Sequence, residues 1–430
     1  MKVVIMAGGR GTRIAELFPD IPKPLIPVDG MPILEREIRS LASQGFKDLI
    51  LTVSYLADKI IEYFGDGSQL GVKIDYFVEE TPLGNAGALF QLREKIGEEP
   101  FFLLNADAAF DVDFNRMLDY HNKHEGLVTL FTHPNSHPYD SGLIIADKDG
   151  KVEKWLSKED DRPQWYNNRV NAGLHVIDPK VLELSLKNLV IDSTTGYPQD
   201  KVDLDRQILK PLCGTGRMYC YDSPEYVKDM GTPERFHQVE ADYQNGVVQA
   251  KNLHNKQKAI FLDRDGTINK YVGFLRDINE LELIDGVSKA IKMINQSGYL
   301  AIVVTNQPVI ARGEVSWDEL HEIHKKMETL LGKDGAYIDG MYICPHHPDK
   351  GFEGERPEYK FDCDCRKPKP GLLLQAAKDF NIDLSQSYMI GDSDRDVEAG
   401  NNAVCKDSIL VETNKRGALF EAAEKIIQIP

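Results

Sequence analysis

Two aspartates one residue apart, in Asp263-Arg264-Asp265-Gly266-Thr267, follow the apolar run Ala259 to Leu262. At a strand end such a pair can divide labour, one carboxylate attacking phosphorus and the other protonating the departing alkoxide. That chemistry needs a cation. Downstream, Val303-Val304-Thr305-Asn306-Gln307 offers a hydroxyl at a second strand end, and Ile390-Gly391-Asp392-Ser393-Asp394-Arg395-Asp396 offers a third carboxylate cluster. Between them, Cys344-Pro345-His346-His347 and Cys363-Asp364-Cys365 supply three thiolates and an imidazole. This is a full tetrahedral Zn²⁺ set with no position left for water, so the zinc would be structural. Near the start, Val3 to Met6 runs into Ala7-Gly8-Gly9-Arg10-Gly11-Thr12-Arg13, where glycines let backbone N–H groups approach a polyphosphate and two arginines supply charge. The loop lacks the closing Lys-Ser or Lys-Thr of an ATPase loop and the third glycine of a dinucleotide fingerprint. Alone it is equally a tight turn. The phosphate reading gains from Pro22-Lys23-Pro24, where two prolines aim the ammonium.

These residues need strands and helices to hold them. Short β-branched and amphipathic runs alternate through Val3 to Met6, Ile33 to Leu41, Leu49 to Val53, Ile60 to Phe64 and Val72 to Val78, the pattern of βαβ units around a mainly parallel sheet. A second α/β pattern starts at Ala259 and continues through Ala301 to Thr305 and Tyr388 to Gly391. Phe236 to Lys258 is polar and rich in Gln, Asn and Lys, a connecting helix and linker. The expectation is an α/β protein of two domains, residues 1–240 and 258–430, joined by 241–257. The 430 residues agree with two to three domains at roughly 150 each. A hydrophobic content of 42% with 28% charged residues is that of an ordinary folded chain, and no repeat is evident. The net charge of −17 argues against nucleic acid or anionic membrane as partners, while leaving small anionic metabolites open. Six cysteines are too sparse for a disulfide framework, and Cys213, Cys220 and Cys405 read as small buried hydrophobes. With neither a secretory signal nor a run of about 18 apolar residues, the expected location is the cytoplasm.

The N-terminal constellation resembles the sugar-1-phosphate nucleotidyltransferases, the nucleoside-diphosphate-sugar pyrophosphorylases, over residues 1 to about 240. After the glycine loop and Pro22-Lys23-Pro24, the likeness continues in Leu83-Gly84-Asn85-Ala86-Gly87, Asn105-Ala106-Asp107, Ser157-Lys158-Glu159, Asn171-Ala172-Gly173 and Asp229-Met230-Gly231-Thr232-Pro233. The resemblance implies a Rossmann-like, GT-A-like domain in which a sugar 1-phosphate oxygen attacks the α-phosphorus of a nucleoside triphosphate and expels pyrophosphate. Ala7, Gly8, Gly9, Gly11 and Thr12 would then cradle the phosphates, with Gly84 also at the nucleotide. Arg13 would neutralise them and Lys23 steady the α-phosphate. Asp107 and Asp229 would hold Mg²⁺, while Asp107, Lys158 and Asn171 would face the sugar phosphate. The family places a base-reading side chain at Glu79, and a carboxylate there suits the two donors of guanine; the alternative is that Glu80 or neither touches the base. Ala106, Asn85 and Ser157 depart from the family's usual Gly, Thr and Glu.

Residues 258–430 resemble the haloacid dehalogenase phosphatases. By that resemblance Asp263 is the nucleophile and Asp265 the acid/base, and Thr305 and Lys367 hold phosphate. Mg²⁺ lies among Asp263, the Asp265 carbonyl and Asp392, with Asp396 orienting Lys367. The cysteine loop and Cys365-Arg366-Lys367-Pro368-Lys369-Pro370-Gly371 resemble a narrower group, the heptose 1,7-bisphosphate and histidinol-phosphate phosphatases. That group's pattern selects His346 as the zinc ligand with Cys344, Cys363 and Cys365, and makes Asn306 and Arg366 substrate contacts; His347 is left to face solvent or substrate. In the first half, Asp20-Ile21-Pro22-Lys23-Pro24 and Val53-Ser54-Tyr55 resemble the D-glycero-α-D-manno-heptose 1-phosphate guanylyltransferases. Together the resemblances imply a bifunctional enzyme acting on heptose bisphosphate, heptose 1-phosphate and GTP, with Mg²⁺ at both sites and the oligomeric state open. The alternatives are a hexose-1-phosphate nucleotidyltransferase joined to a histidinol-phosphatase-like domain, and an N-terminal half that regulates the phosphatase without catalysis.

Overall fold

Val3 and Ile5 point into one core and Val4 into another, because successive side chains of the strand β1 (Lys2–Met6) leave opposite faces of its sheet. A helix, α1 (Ile33–Ser43), buries Leu34, Ile38 and Leu41 against the first of these cores. Strand β2 (Asp48–Val53) lies parallel to β1 and to β3 (Lys73–Val78), and β4 (Phe101–Asn105) lies parallel to β1 on its other side. Met6 is level with both Thr52 and Asn105. The loops that leave these strands therefore open along one edge, where parallel α/β sheets bind ligands. Among the described residues the sheet has nine strands and is mixed: β5 (Val170–Ile177) runs antiparallel to β4, with Leu174 opposite Leu104. A separate antiparallel pair, Ala108–Asp111 with Tyr226–Asp229, sets Asp229 opposite Ala108.

The second sheet is wholly parallel. Its order is β8 (Gly340–Cys344), β7 (Tyr299–Asn306), β6 (Lys258–Leu262), β9 (Tyr388–Gly391), β10 (Asp407–Leu410). Ile260 and Leu262 feed one core, Ala259 and Phe261 the other. The central strand β6 delivers Asp263 to the carboxyl edge, between the ends of β7 and β9.

This computed structural model describes all residues except 10, 12, 107, 352, 429 and 430. The chain separates into two units, Met1–Thr132 with Ile144–Ser157 and Asn171–Val248, and His133–Leu143 with Lys158–Val170 and Gln249–Pro430. The second unit thus takes in two stretches that precede its main body. They meet the helix α2 (Trp317–Lys333), whose Thr329 hydroxyl accepts from the Tyr166 amide at 2.9 Å and whose Glu328 accepts from the Asn168 amide at 2.7 Å. Among the described residues, no helix is long and apolar enough to cross a membrane.

Candidate active sites

In the first unit the loop after β1 is anchored where the Ala7 amide donates to Thr52 at 2.8 Å. Gly11 has φ +57°, and a Cβ there would sit 3.2 Å from the Lys23 Cβ, so glycine is what lets the loop close over the lysine stem. Lys23, buried in the short turn Lys23–Leu25, places its ammonium 3.6 Å from Asp229 Oδ1. The same carboxylate accepts from the Gly231 amide at 2.7 Å and from Arg235. The exposed Arg13 side chain also reaches Gly231, where an added Cβ would lie 3.2 Å from its Nη2. Gly11, Arg13, Lys23 and Asp229 are therefore brought together. Thr12 and Asp107 lie outside the described residues.

Glu79 follows β3, and its carboxylate lies beside Gly8, 3.8 Å from the place of a glycine Cβ. One oxygen accepts from the Leu83 amide at 3.3 Å. Burial raises its carboxyl pKa, and the Leu83 bond opposes the rise. Gly84, at φ +83°, has no room for a side chain, since a Cβ would meet the Val202 carbonyl at 2.3 Å. Asn85 ties the same loop down by accepting from the Leu204 amide at 2.7 Å, which accounts for one departure from the family pattern. Ser157 accounts for another, accepting from Lys210 at 2.7 Å. Lys158 is exposed and falls in the stretch grouped with the second unit, so it is not among the residues gathered in the first. Asn171 lies on β5 with its side-chain oxygen bonded to Gly173 and His175.

In the second unit the Lys367 ammonium, 2% exposed, sits 2.7 Å from Asp263 Oδ1 and 2.6 Å from Asp396 Oδ1. Asn306 fixes the lysine's backbone reciprocally, accepting from its amide and donating to its carbonyl, both at 3.0 Å. Both ends of this amide are thus used to position Lys367, where the sequence suggested a substrate contact. Oxygens of Asp263, Asp392 and Asp396 lie within 4.8 Å of one another. Three carboxylates against one ammonium leave two negative charges, and this hard-oxygen donor set fits a divalent cation such as Mg²⁺. Gly266 makes space for the Asp392 carboxylate, since a Cβ there would lie 2.0 Å from Asp392 Oδ2. Asp396 was expected only to orient the lysine; here it also stands within the carboxylate cluster.

Asp265 turns its side chain elsewhere. It accepts from Arg264 Nη2 at 2.9 and 2.8 Å on its two oxygens, from Asn269 at 2.9 Å and from Gln307 at 2.8 Å. Burial alone would raise its carboxyl, but the Arg264 guanidinium and these bonds hold it below the usual carboxylate range. Arg264 is itself fully buried, and its Nη1 donates to His324 Nε2 at 2.9 Å. Burial keeps His324 neutral and hence able to accept. For Asp263 the balance is opposite: burial raises its carboxyl, with Lys367 opposing and Asp396 adding to the rise. The buried Thr305 hydroxyl accepts from Gln307 at 2.9 Å.

Cys344, His346, Cys363 and Cys365 converge with no disulfide among them. Their sulfurs are separated by 3.2 to 3.5 Å and His346 Nδ1 lies 3.2 Å from Cys365 Sγ, close to the edge of about 3.8 Å in a tetrahedron of zinc thiolates. The four residues fit one Zn²⁺. His347 stays outside, accepting at Nδ1 from the Asp349 amide at 3.2 Å. Arg366 donates to the His346 carbonyl at 3.1 Å, so the zinc loop and the Lys367 segment are tied together. Sequence reasoning missed Arg235, Arg264 and His324. The signal for Arg235 is its place in the first turn of the helix Pro233–Gln244, which is capped by Thr232.

Residues 2–246 match the nucleotidyl transferase family, and residues 364–426 the HAD-hydrolase-like family. The "D-glycero-beta-D-manno-heptose-1,7-bisphosphate 7-phosphatase" of Pasteurella multocida is 47% identical over 160 residues, which is 37% of this chain and 84% of the relative. The protein of the same name from Escherichia coli is 42% identical over 157 residues, 36% of this chain and 80% of that one. The chain belongs to both the nucleotidyl transferase family and the family of these 7-phosphatases. The crystal structure of HddC from Yersinia pseudotuberculosis is 26% identical, covers 56% of this chain and 99% of its own, and has a TM-score of 0.47. The molecule is thus an α/β enzyme combining nucleotidyl transfer with phosphate monoester hydrolysis.

Proposed function

We propose that this chain makes a GDP-heptose in two consecutive reactions: residues 258–430 remove the 7-phosphate of a D-glycero-D-manno-heptose 1,7-bisphosphate, and residues 1–240 join the heptose 1-phosphate to GMP from GTP. The observation that carries the reading is the Asp263–Lys367–Asp396 cluster in a chain of which 160 residues are 47% identical to a phosphatase named for this bisphosphate. Asp263 attacks phosphorus, the bond to the sugar oxygen breaks, and Asp265 gives that oxygen a proton. Water then attacks the aspartyl phosphate, losing its proton to Asp265. Thr305 and Lys367 hold the phosphoryl oxygens, and Arg366 faces the second phosphate. Mg²⁺ held by Asp263, Asp392 and the Asp265 carbonyl would supply the charge neutralisation that anionic reactants require. Zn²⁺ on the cysteine loop has a structural role.

The product of the first step carries the nucleophile of the second, which is why the pairing makes sense in one chain. Lys23 and Arg13 neutralise the triphosphate, Glu79 takes two guanine donors, and Asn171 receives the sugar phosphate. Asp229, with Asp107, would hold the second Mg²⁺. Positioning and charge neutralisation supply most of the catalysis in such transfers. The test is to incubate the chain with each anomer of the bisphosphate, GTP and Mg²⁺, following inorganic phosphate and nucleotide sugar. Expected products are phosphate, pyrophosphate and GDP-heptose; release of phosphate without nucleotide sugar would refute the second step, and no phosphate release would refute the first, with heptose 1-phosphate supplied directly then testing the second. Parallel runs with mannose 1-phosphate and histidinol phosphate should give rates at least tenfold lower.

A further inference from the structure

Asn171 and His175 are four residues apart on β5, a separation that a regular strand would stretch to about 13 Å. Here their side chains are bonded, with His175 Nε2 3.2 Å from Asn171 Oδ1. The cause is Gly173, whose φ of +76° folds the strand between them. Glycine is needed at this point for a second reason, because a Cβ would lie 2.6 Å from the Asn105 Nδ2. The kink therefore gathers Asn105, Asn171 and His175 at one place on the β4–β5 pair.

The donor and acceptor roles follow from the chemistry. The Gly173 amide approaches Asn171 Oδ1 at 3.4 Å, and a backbone N–H only donates, so the atom it faces is the carboxamide oxygen. In its Nε2–H tautomer His175 donates to that same oxygen, and the buried Nδ1 is left without a hydrogen-bond partner. The ring is 1% exposed and stands opposite Leu103 across the strand pair. Burial lowers its pKa to about 4 against an opposing backbone bond at Leu103, so the ring stays neutral through the physiological range. With the oxygen held by two donors, the NH₂ end of Asn171 is the end presented to a ligand.

We propose that His175 is a positioning residue for sugar-phosphate binding: it locks the Asn171 carboxamide so that its NH₂ group is aimed at a hydroxyl or phosphate oxygen of the sugar 1-phosphate. This rests on the assignment of Asn171 as a sugar-phosphate contact. A histidine serves here because a buried, neutral ring supplies one rigid N–H at a fixed reach, which a flexible side chain would supply less selectively.

The test uses the full chain with heptose 1-phosphate and GTP. His175→Phe keeps the ring's bulk without the donor, His175→Gln keeps a donor, and Asn171→Ala removes the contact itself. His175→Phe should raise the KM for heptose 1-phosphate about tenfold, the effect of one lost hydrogen bond, with kcat and the KM for GTP within about twofold of the native values. His175→Gln should recover most of that loss, and the double variant should be no worse than Asn171→Ala alone. Phosphatase turnover, measured on the same samples, should be unchanged in all of them. If Asn171→Ala raises the sugar-phosphate KM while His175→Phe does not, the positioning role is refuted and the Asn171 contact stands. If Asn171→Ala leaves that KM unchanged, or the native chain transfers nothing to heptose 1-phosphate, the underlying assignment falls and the inference with it. An equal rise in both KM values would assign His175 a purely structural role and overturn the proposal.

Discussion

Replacing Lys367 with methionine keeps the aliphatic stem and removes the ammonium. That ammonium is 2% exposed and lies 2.7 and 2.6 Å from carboxylate oxygens of Asp263 and Asp396. Its removal leaves those two and Asp392 clustered within 4.8 Å without the charge between them. Breaking a buried ion pair in this way costs about 3–5 kcal/mol unless one of the acids takes up a proton. Asp263 is the one to do so: burial already raises its carboxyl, and Lys367 is the foremost influence holding it down. A protonated Asp263 does not attack phosphorus, and the transferred phosphoryl group also loses a cationic partner. Phosphatase turnover at pH 7 should fall by about 10²–10³, or ~3–4 kcal/mol of barrier. The assay is phosphate release from the heptose bisphosphate, with transfer to heptose 1-phosphate on the same sample as the control for intact protein. Because the cause assigned is a proton on Asp263, the variant's rate should climb about tenfold per pH unit from 7 upward until that carboxyl ionises. A loss smaller than tenfold, or a large loss with a flat pH profile, would refute this account of the site.

Three further outcomes are expected. Exchanging Cys363 for serine should drop bound zinc from one per chain and lower the melting temperature of the phosphatase unit, because ligand binding free energy is folding free energy in such loops; metal analysis with calorimetry checks it, and unchanged zinc content would count against the four-residue site. Replacing Glu79 with glutamine removes one acceptor, so the KM for GTP should rise about tenfold while weak transfer from ATP hardly changes, measured by nucleotide-sugar formation. In metal-free protein the raised Asp263 carboxyl, at about 7, means the folded state binds more protons than the unfolded state between roughly pH 4 and 7. Stability should therefore fall as pH rises across that window, and the melting-temperature gain from added Mg²⁺ should be larger at pH 7.5 than at pH 5; equal gains at both would contradict the sign.

What the sequence made legible was contiguous. The short apolar runs Val3 to Met6 and Ala259 to Leu262 mark both central strands, and the groups at their ends follow without knowledge of the fold. The cysteine loop is equally readable, since spacing confines Cys344, Cys363 and Cys365 to one loop with two histidines, while the choice of His346 over His347 rests on the family resemblance. Residues whose roles depend on register stayed hidden. His324 looks like any helix histidine until α2 packs it against Arg264, and Arg264 reads as a surface charge although it is fully buried. His175 gains a role only because Gly173 folds the strand, and a glycine in a strand does not announce which neighbours it will join. The stretches 133–143 and 158–170 are polar and aperiodic, so nothing local tells that they pack with α2. Asn85 and Ser157, which looked like weakened motif positions, have partners in Leu204 and Lys210 that lie more than 50 residues away.

The two aspartates at the end of β6 raise a sharper point. Their environments push them apart, which is how one site runs acid and base chemistry at a single pH. Yet the directions are the reverse of the first half-reaction: Asp263, the proposed nucleophile, is raised by burial, and Asp265, the proposed acid, is held down by Arg264, Asn269 and Gln307. For Asp263 the reversal is resolved by charge. The cluster carries two negative charges in excess, and a divalent cation there favours its ionised form. For Asp265 the arrangement suits the second half-reaction, in which a carboxylate must take a proton from the attacking water. Delivering a proton to the sugar oxygen requires Asp265 to give up some of its donors, and Gln307 is the natural one to yield, because it also bonds the Thr305 hydroxyl that must turn to the phosphoryl group. Substrate entry at Thr305 would thus release a donor from Asp265 and raise its proton affinity when an acid is needed. Gln307→Leu, which removes that donor permanently, should speed formation of the aspartyl phosphate relative to its hydrolysis, so that the intermediate accumulates in rapid-quench experiments; native partitioning in the variant would show that Gln307 takes no part in the exchange.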